Sequence, residues 1–375
     1  MAEPAKTRVA ILGASGYTGG ELVRLLARHP HVEMAVLTAD RNAGQTLENV
    51  FPHLGGLDLP VLMKIEEVEW AGLDVDVVFC CLPHGTTQEI VKGLLHVTGH
   101  TVVDEVMHEG REDLVSGLKK DVKVIDVSAD FRLDDIEVYA KWYGHEHYAP
   151  MLQDEAVYGL TELHRDAIRE ARLVACPGCY PTVPQLALVP LLVHGLIDPQ
   201  GIIIDAKSGV TGAGRAAKQA MLFGEVSEGA HPYGLGGHRH TPEMEQELSK
   251  AASTTMTISF TPHLLPMNRG LLATMYVTLA EGTTAEDLRD ALIRRYEGEP
   301  FVRVTEPGIA PATRDVRGSN QCLLGVFEDR LPGRAIVVGA IDNLVKGSSG
   351  QAVQNMNVML GYPETLSLEQ LPLFP

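Results

Sequence analysis

Cys179 stands in the string Val-Ala-Cys176-Pro-Gly-Cys179-Tyr-Pro-Thr, where Leu173 to Ala175 reads as a strand and Pro177-Gly178 as a turn. The residues after Cys179 form a segment able to become helix. A thiol at such a junction lies by the first helical turn, where backbone N–H groups without intrahelical partners stabilise a thiolate. The thiolate is the nucleophile, so the position suits covalent catalysis. A free cysteine is also commonly a small buried hydrophobe, and this string alone leaves that alternative open. Further on, His231, His238 and His240 crowd the glycine-rich stretch HPYGLGGHRHTPEMEQEL, just before an acidic helix start. Histidine is the usual proton carrier near neutral pH. His-x-His spacing can also hold a metal, but no further carboxylate or cysteine completes a recognisable ligand set, so no metal is expected.

A second chemistry is written near the N-terminus. Arg8 to Leu12 reads as a short buried strand, followed by Gly13-Ala14-Ser15-Gly16-Tyr17-Thr18-Gly19 and a helical pattern over Glu21 to Arg28. Strand, glycine turn and helix in this order make a dinucleotide-binding unit. Gly13 permits the tight turn, Gly16 lets the backbone approach a pyrophosphate, and Gly19 lets helix and strand pack closely. The next strand, Glu33 to Thr38, ends in Ala39-Asp40-Arg41. An acidic residue there would bind the ribose hydroxyls of NAD, and an arginine would pair with the extra phosphate of NADP. Thr38 and Arg41 favour NADP, although Arg41 is also a residue type common as a solvated surface charge.

The elements that must position these groups can be followed along the chain. An apolar strand over Val75 to Leu82, with Cys80 and Cys81 as core residues, ends in Pro83-His84-Gly85, which at a strand's carboxyl end should line the cofactor. A strand over Val122 to Val127 leads to Ser128-Ala-Asp130-Phe-Arg132, where the arginine is placed to grip an anionic substrate. After Gly201 to Ala206 comes Lys207-Ser208-Gly-Val-Thr-Gly-Ala-Gly214-Arg215, a glycine-rich basic loop suited to a phosphate. Strands over 257–264, 271–279, 321–327 and 335–341, with a helix over 285–296, suggest a mixed or antiparallel sheet unlike the first. The last helix is expected over 350–360, and the polar segment Leu95 to Lys120 reads as a surface excursion.

At 375 residues the chain exceeds one ordinary core and suggests two domains. Lys and Arg total 31 against 49 Asp and Glu, a net charge of −18 that argues against nucleic acid and anionic membranes as partners. No apolar run reaches transmembrane length. An early first strand leaves no room for a targeting peptide, and five cysteines without a disulfide-like spacing fit a reducing compartment, so a cytoplasmic enzyme is expected.

Taken together, these strings resemble the N-acetyl-gamma-glutamyl-phosphate reductase family almost from end to end. The likeness rests on GASGYTGGELVRLL, FCCLPHGTTQEIV, DVSADFRL, VYGLTEL, PGCYPT, DAKSGVTGAGR, GHRHTPEMEQ, FTPHLLPMNRG, FEDRLPGRA and DNLVKGSSGQAVQN. The resemblance implies a doubly wound α/β Rossmann domain for NADP(H) at 1–178, completed by the C-terminal helix at 346–375. It also implies an α+β catalytic and oligomerisation domain at 179–345, similar in design to aspartate-semialdehyde and glyceraldehyde-3-phosphate dehydrogenases. A homodimer or homotetramer is expected.

The same resemblance makes Cys179 the nucleophile on N-acetyl-glutamyl 5-phosphate and His238 its base and acid, with His240 the alternative. Ser128, Arg132, Lys207, Ser208, Arg215 and Arg269 are candidates for the anions of the substrate. Asn343 and Lys346 belong with the nicotinamide end of the cofactor site. Two departures stand out. The family usually has asparagine where this chain has Cys176, and two readings stand: a Cys176–Cys179 disulfide that switches the enzyme off under oxidation, and a neutral substitution. The segment around His96 to Ser116 is longer than the family's connection.

Overall fold

The computed structural model describes residues 5–95, 115 and 121–374. Most of the segment Leu95 to Lys120, including the expected surface excursion, lies outside the described residues. The chain divides into two compact units, Met1–Pro177 with Gln351–Leu368, and Gly178–Gly350 with Glu369–Pro375. Residues 346–350 and 369–375, expected with the first unit, cluster with the second.

The first unit is built on a six-stranded sheet in the order β2-β1-β3-β4-β6-β5, every pairing parallel. Its strands are β1 (Thr7–Leu12), β2 (Val32–Leu37), β3 (Val77–Cys80), β4 (Lys123–Asp126), β5 (Val157–Tyr158) and β6 (Leu173–Ala175). Val9 to Leu12 and Val78 to Cys80 have no exposed surface, as expected of strands covered on both faces. Cys80 joins this core and burial lifts its thiol well above the usual range, whereas Cys81 is only half-buried. Strand order reverses at β1, which pairs with β2 on one side and β3 on the other. In doubly wound sheets ligands bind beyond the strand ends at that point.

The helix Gly350–Met359 closes this unit and has polar residues buried along it. Three of its amides donate to partners remote from their own turn. Asn355 Nδ2 donates to the Gly159 carbonyl at 2.8 Å, Gln354 Nε2 to Glu162 at 2.9 Å, and Asn357 Nδ2 to the Leu366 carbonyl at 2.9 Å. Satisfied in this way, buried amides become specific fasteners instead of liabilities.

The second unit carries a mixed seven-stranded sheet in the order β11-β12-β13-β10-β7-β9-β8. The strands are β7 (Ile203–Gly209), β8 (His231–Pro232), β9 (Ser259–Leu265), β10 (Leu271–Thr278), β11 (Val302–Val304), β12 (Cys322–Glu328) and β13 (Arg334–Ile341). β10 alternates buried and half-buried residues along its length, the pattern of a sheet with one face in the core. The helix Cys179–Val193 packs on β10 and β13 and against the helix Thr241–Ala252. It is apolar around its whole circumference and keeps Pro184 and Pro190 inside, which buried packing on several sides tolerates. No helix among the described residues is long and apolar enough to cross a membrane.

Candidate active site

In the first unit the glycine turn has the geometry the sequence demands. Gly13 sits at φ +81°, and a Cβ there would stand 2.4 Å from the Cys81 carbonyl oxygen. A Cβ on Gly19 would meet the Gly13 oxygen at 2.5 Å and Ala14 Cα at 2.6 Å, so helix and strand touch through this residue. Gly16 is different. A Cβ there would meet only the Gly13 oxygen, at 3.4 Å. The protein itself leaves room for a side chain at Gly16, and a bound pyrophosphate would use that room. Gly16 also caps the helix Tyr17–Leu26, whose first turn holds no acidic side chain, so an anion meets the positive end of the dipole unopposed.

Thr38 is part of the frame of the glycine turn. It is buried, its Oγ1 accepts from the Gly13 N–H at 3.2 Å, and its carbonyl accepts from Ala14 at 2.8 Å. Arg41 is exposed in the turn after β2. Pro83 and His84 are exposed beyond β3, and His84 Nδ1 accepts from the Ala129 N–H at 3.0 Å. Gly85, at φ +82°, donates its N–H to Asp130 Oδ1 at 2.8 Å.

Ser128 and Arg132, expected to grip substrate, are both engaged by neighbouring protein groups. Ser128 is buried and donates its hydroxyl to Asp126 at 2.9 Å. Arg132 is 5% exposed; its Nε donates to the Cys176 carbonyl at 2.7 Å and its Nη2 to the Val127 carbonyl at 3.1 Å. These bonds brace the ends of β4 and β6. Beside them, burial and then the charge of Asp130 push the Asp126 carboxyl up to about 7. Cys176 is fully buried with its Sγ 3.5 Å from Asn355 Nδ2, and burial pushes the thiol up to about 12. A shielded, protonated thiol is a poor partner for exchange, so the structure gives the disulfide switch no support.

In the second unit, Cys179 is the first residue of its helix and Gly178 the cap before it. The Gly178 carbonyl accepts from Thr182 Oγ1 at 2.9 Å, and its N–H donates to the buried Glu243 Oε1 at 2.7 Å. His240 lies directly on Gly178, because a Cβ built there would stand 2.6 Å from His240 Nε2. Gly347 presses on the other side, its hypothetical Cβ 2.8 Å from that of Cys179.

Aromatic rings wall this place. The Tyr180 ring lies 5.5 Å from His238 and 6.0 Å from His240, and the two histidines are 4.9 Å apart. Tyr233 donates its hydroxyl to Tyr180 at 3.1 Å, and Tyr180 donates to the His263 carbonyl at 3.1 Å. Burial raises both phenols, Tyr233 to about 12, so both remain neutral donors. Burial, then the nearby Arg239, lowers His238 to about 4. His238 Nδ1 accepts from the His240 backbone N–H at 3.1 Å, so the neutral ring carries its proton on Nε2.

The remaining candidates divide. Ser208 is buried beside Tyr180, with which it shares a hydrogen bond, and Lys207 pairs with Asp205 at 2.7 Å while staying a quarter exposed. His263 Nδ1 reaches the same Asp205 at 3.1 Å. Arg215 is exposed on the glycine-rich loop, and His231 is exposed on β8. Arg269 leans on the buried Asp342 at 3.4 Å. Asn343 is a brace, its Oδ1 accepting from Gly270 at 2.8 Å and its Nδ2 donating to Thr211 at 2.9 Å. Lys346 is fully buried, its Nζ 5.9 Å from the centre of the Phe301 ring. Tyr180, Tyr233, Glu243, His263 and Gly347 were not anticipated from the sequence. Glu243 had left a trace, since it recurs with Glu247 at helical spacing on the buried stripe of Met244 and Leu248.

The fold and site define the semialdehyde dehydrogenase class. The NAD-binding domain of that class matches residues 8–109, and its dimerisation domain matches residues 179–343. Aspartate semialdehyde dehydrogenase II of Vibrio cholerae has the same fold, with a TM-score of 0.69 at 17% identity over 96% of this chain and 99% of that one. The enzyme solved with NADP from Candida albicans gives 0.60 at 16% identity, over 95% and 98%. Sequence relatives narrow the class. The N-acetyl-gamma-glutamyl-phosphate reductase of Rhodospirillum rubrum is 60% identical over 99% of both chains. A probable chloroplastic N-acetyl-gamma-glutamyl-phosphate reductase of Oryza sativa subsp. japonica is 56% identical over 99% of this chain and 83% of that one. This chain belongs to the N-acetyl-gamma-glutamyl-phosphate reductase family.

Proposed function

We propose that the protein reduces N-acetyl-L-glutamyl 5-phosphate with NADPH to N-acetyl-L-glutamate 5-semialdehyde and phosphate, through a thioester on Cys179, in arginine biosynthesis. The observation that carries this reading is a single one: Cys179 opens a helix with an imidazole, that of His240, lying on the residue before it.

The Cys179 sulfur attacks the acyl carbon, a C–S bond forms, and the C–O bond to phosphate breaks. The proton leaving the thiol passes through histidine to the departing phosphate, which would otherwise leave as a poor trianion. The turn Gly13 to Gly19 would hold NADPH, with Arg41 for its ribose phosphate, and the bound cofactor would supply the hydride that reduces the thioester. The C–S bond then breaks, the aldehyde departs, and Cys179 regains its proton. The first helical turn stabilises the thiolate and the oxyanion in both halves of the reaction.

The resemblance gave the proton work to His238. The bond that occupies His238 Nδ1 makes that ring a fixed Nε2–H donor, suited to an oxyanion, and leaves the proton transfer to His240. Lys207 and Arg215, charged and partly open, are the cations that suit the substrate's anions. The second unit supports a homodimer or homotetramer, and the protein works in the cytoplasm.

The test is to incubate the enzyme with the acyl phosphate without NADPH and map the modified peptide by mass spectrometry. An N-acetyl-glutamyl adduct is expected on Cys179. Turnover of N-acetyl-glutamate semialdehyde, phosphate and NADP by a Cys179→Ala enzyme would overturn the mechanism.

A further inference from the structure

Glu243 is an ionisable residue only 1% exposed, and it lies under the turn that carries the nucleophile. Its Oε1 takes the Gly178 N–H at 2.7 Å, and its own carbonyl accepts from Gln185 Nε2 at 3.1 Å, so it is tied twice to the Cys179 segment. It stands three residues after His240, which touches the same Gly178. A carboxylate at a helix N-terminus competes with a thiolate for the same positive field. Nothing about holding a turn requires a charge there, since a neutral amide would accept the same hydrogen bond.

We propose that Glu243 is a positioning residue for Cys179: its carboxylate fixes the Gly178 turn and, as a negative charge at the start of the helix, restrains ionisation of the thiol. This rests on Cys179 being the nucleophile of the reductase reaction. The restraint keeps the thiolate basic, and a more basic thiolate is the stronger nucleophile, with a Brønsted slope of about 0.4–0.5. Other titratable groups that face this helix start are His238 and His240 on the preceding loop, Tyr180 on the helix and Tyr233 beside it. Lys346 is the neighbour of Gly347 on the turn that presses on Cys179.

The experiment follows alkylation of Cys179 by iodoacetamide against pH in the full-length native, Glu243→Gln and Glu243→Ala proteins, with the site read by mass spectrometry. Gln keeps the acceptor and removes the charge, so its alkylation midpoint should fall by about one pH unit. Ala removes both, and kcat should fall about a hundredfold as the thiol loses its placement, while Gln restores much of that loss. The KM for NADPH should not move in either. Identical midpoints in native and Gln proteins would overturn the charge role, and native kcat in Ala would overturn the positioning role. Should Ala not fold, the Gln midpoint still decides. Alkylation needs no turnover, so failure here is distinct from failure of the reductase reading, which native turnover tests.

Discussion

Gly347 and Cys179 lie so close that a methyl group on Gly347 would stand 2.8 Å from Cys179 Cβ and 3.2 Å from its Cα. Gly347 belongs to a single π-helical turn, Val345–Ser349, a distortion that is rare and concentrates at functional sites. The turn bulges towards the nucleophile, and only a residue without a side chain fits. Gly347→Ala should therefore displace Cys179 by a fraction of an ångström and lower kcat about a hundredfold. Thermal melting beside steady-state kinetics checks this. Unchanged kcat would mean that the thiol's position is not held from this side.

Gly16 and Gly19 share one turn but should fail in different ways. Alanine at Gly19 would drive its Cβ into backbone atoms at 2.5 and 2.6 Å, which cannot yield cheaply, and should cost about 1–3 kcal/mol of stability. Alanine at Gly16 meets only one atom at 3.4 Å, so the protein should fold normally and bind NADPH at least about tenfold more weakly. Denaturant titration and NADPH fluorescence titration separate the two. An unstable Gly16→Ala that binds NADPH normally would refute this division of roles.

What could be read from the sequence was what depends on neighbours in the chain. The glycine turn, the strand Leu173–Ala175, the helix Ala285–Tyr296 and the place of Cys179 at a helix start all follow from spacing over a few residues. The doubly wound sheet and the mixed second sheet follow from the order of such segments. Side-chain partners did not follow. A guanidinium near a strand end reads as an anion clamp, and nothing in the spacing foretells the Cys176 carbonyl, 44 residues on, that lies against Arg132. Nor does the spacing foretell that the Asn343 amide meets Gly270 and Thr211, which are remote in sequence. β5 and β11, of two and three residues, are too short for a period to show.

Asp126 gives the first unit a pH-dependent stability with a definite sign. In the unfolded chain its carboxyl ionises near its ordinary 3.8, whereas burial and Asp130 push it up to about 7 in the fold. Between those values the folded chain holds a proton that the unfolded chain has released. The stabilising contribution is therefore complete below the unfolded value and is lost as pH rises through the folded one. The native protein should melt several degrees lower at about pH 8 than at about pH 5.5, and Asp126→Asn should flatten that slope. A slope unaltered by the substitution would assign the dependence to other groups.

Arg132 is the nearest test of whether a buried cation near a strand end serves substrate or structure. Its guanidinium bridges the Val127 and Cys176 carbonyls and lowers the Asp126 pKa against the larger effect of burial. Arg132→Met keeps the length of the side chain and removes both hydrogen bonds and charge. It leaves the Asp126–Asp130 pair without that cation, and breaking a buried arrangement of this kind costs about 3 kcal/mol or more. The loss should be larger above about pH 7, where Asp126 ionises, than at about pH 5.5, where its proton already limits the repulsion. If Arg132 instead gripped the acyl phosphate, the variant would melt like the native protein and raise KM for that substrate alone. Melting at two pH values with one set of kinetics therefore distinguishes a brace from a clamp, and the 5% exposure of the side chain favours the brace.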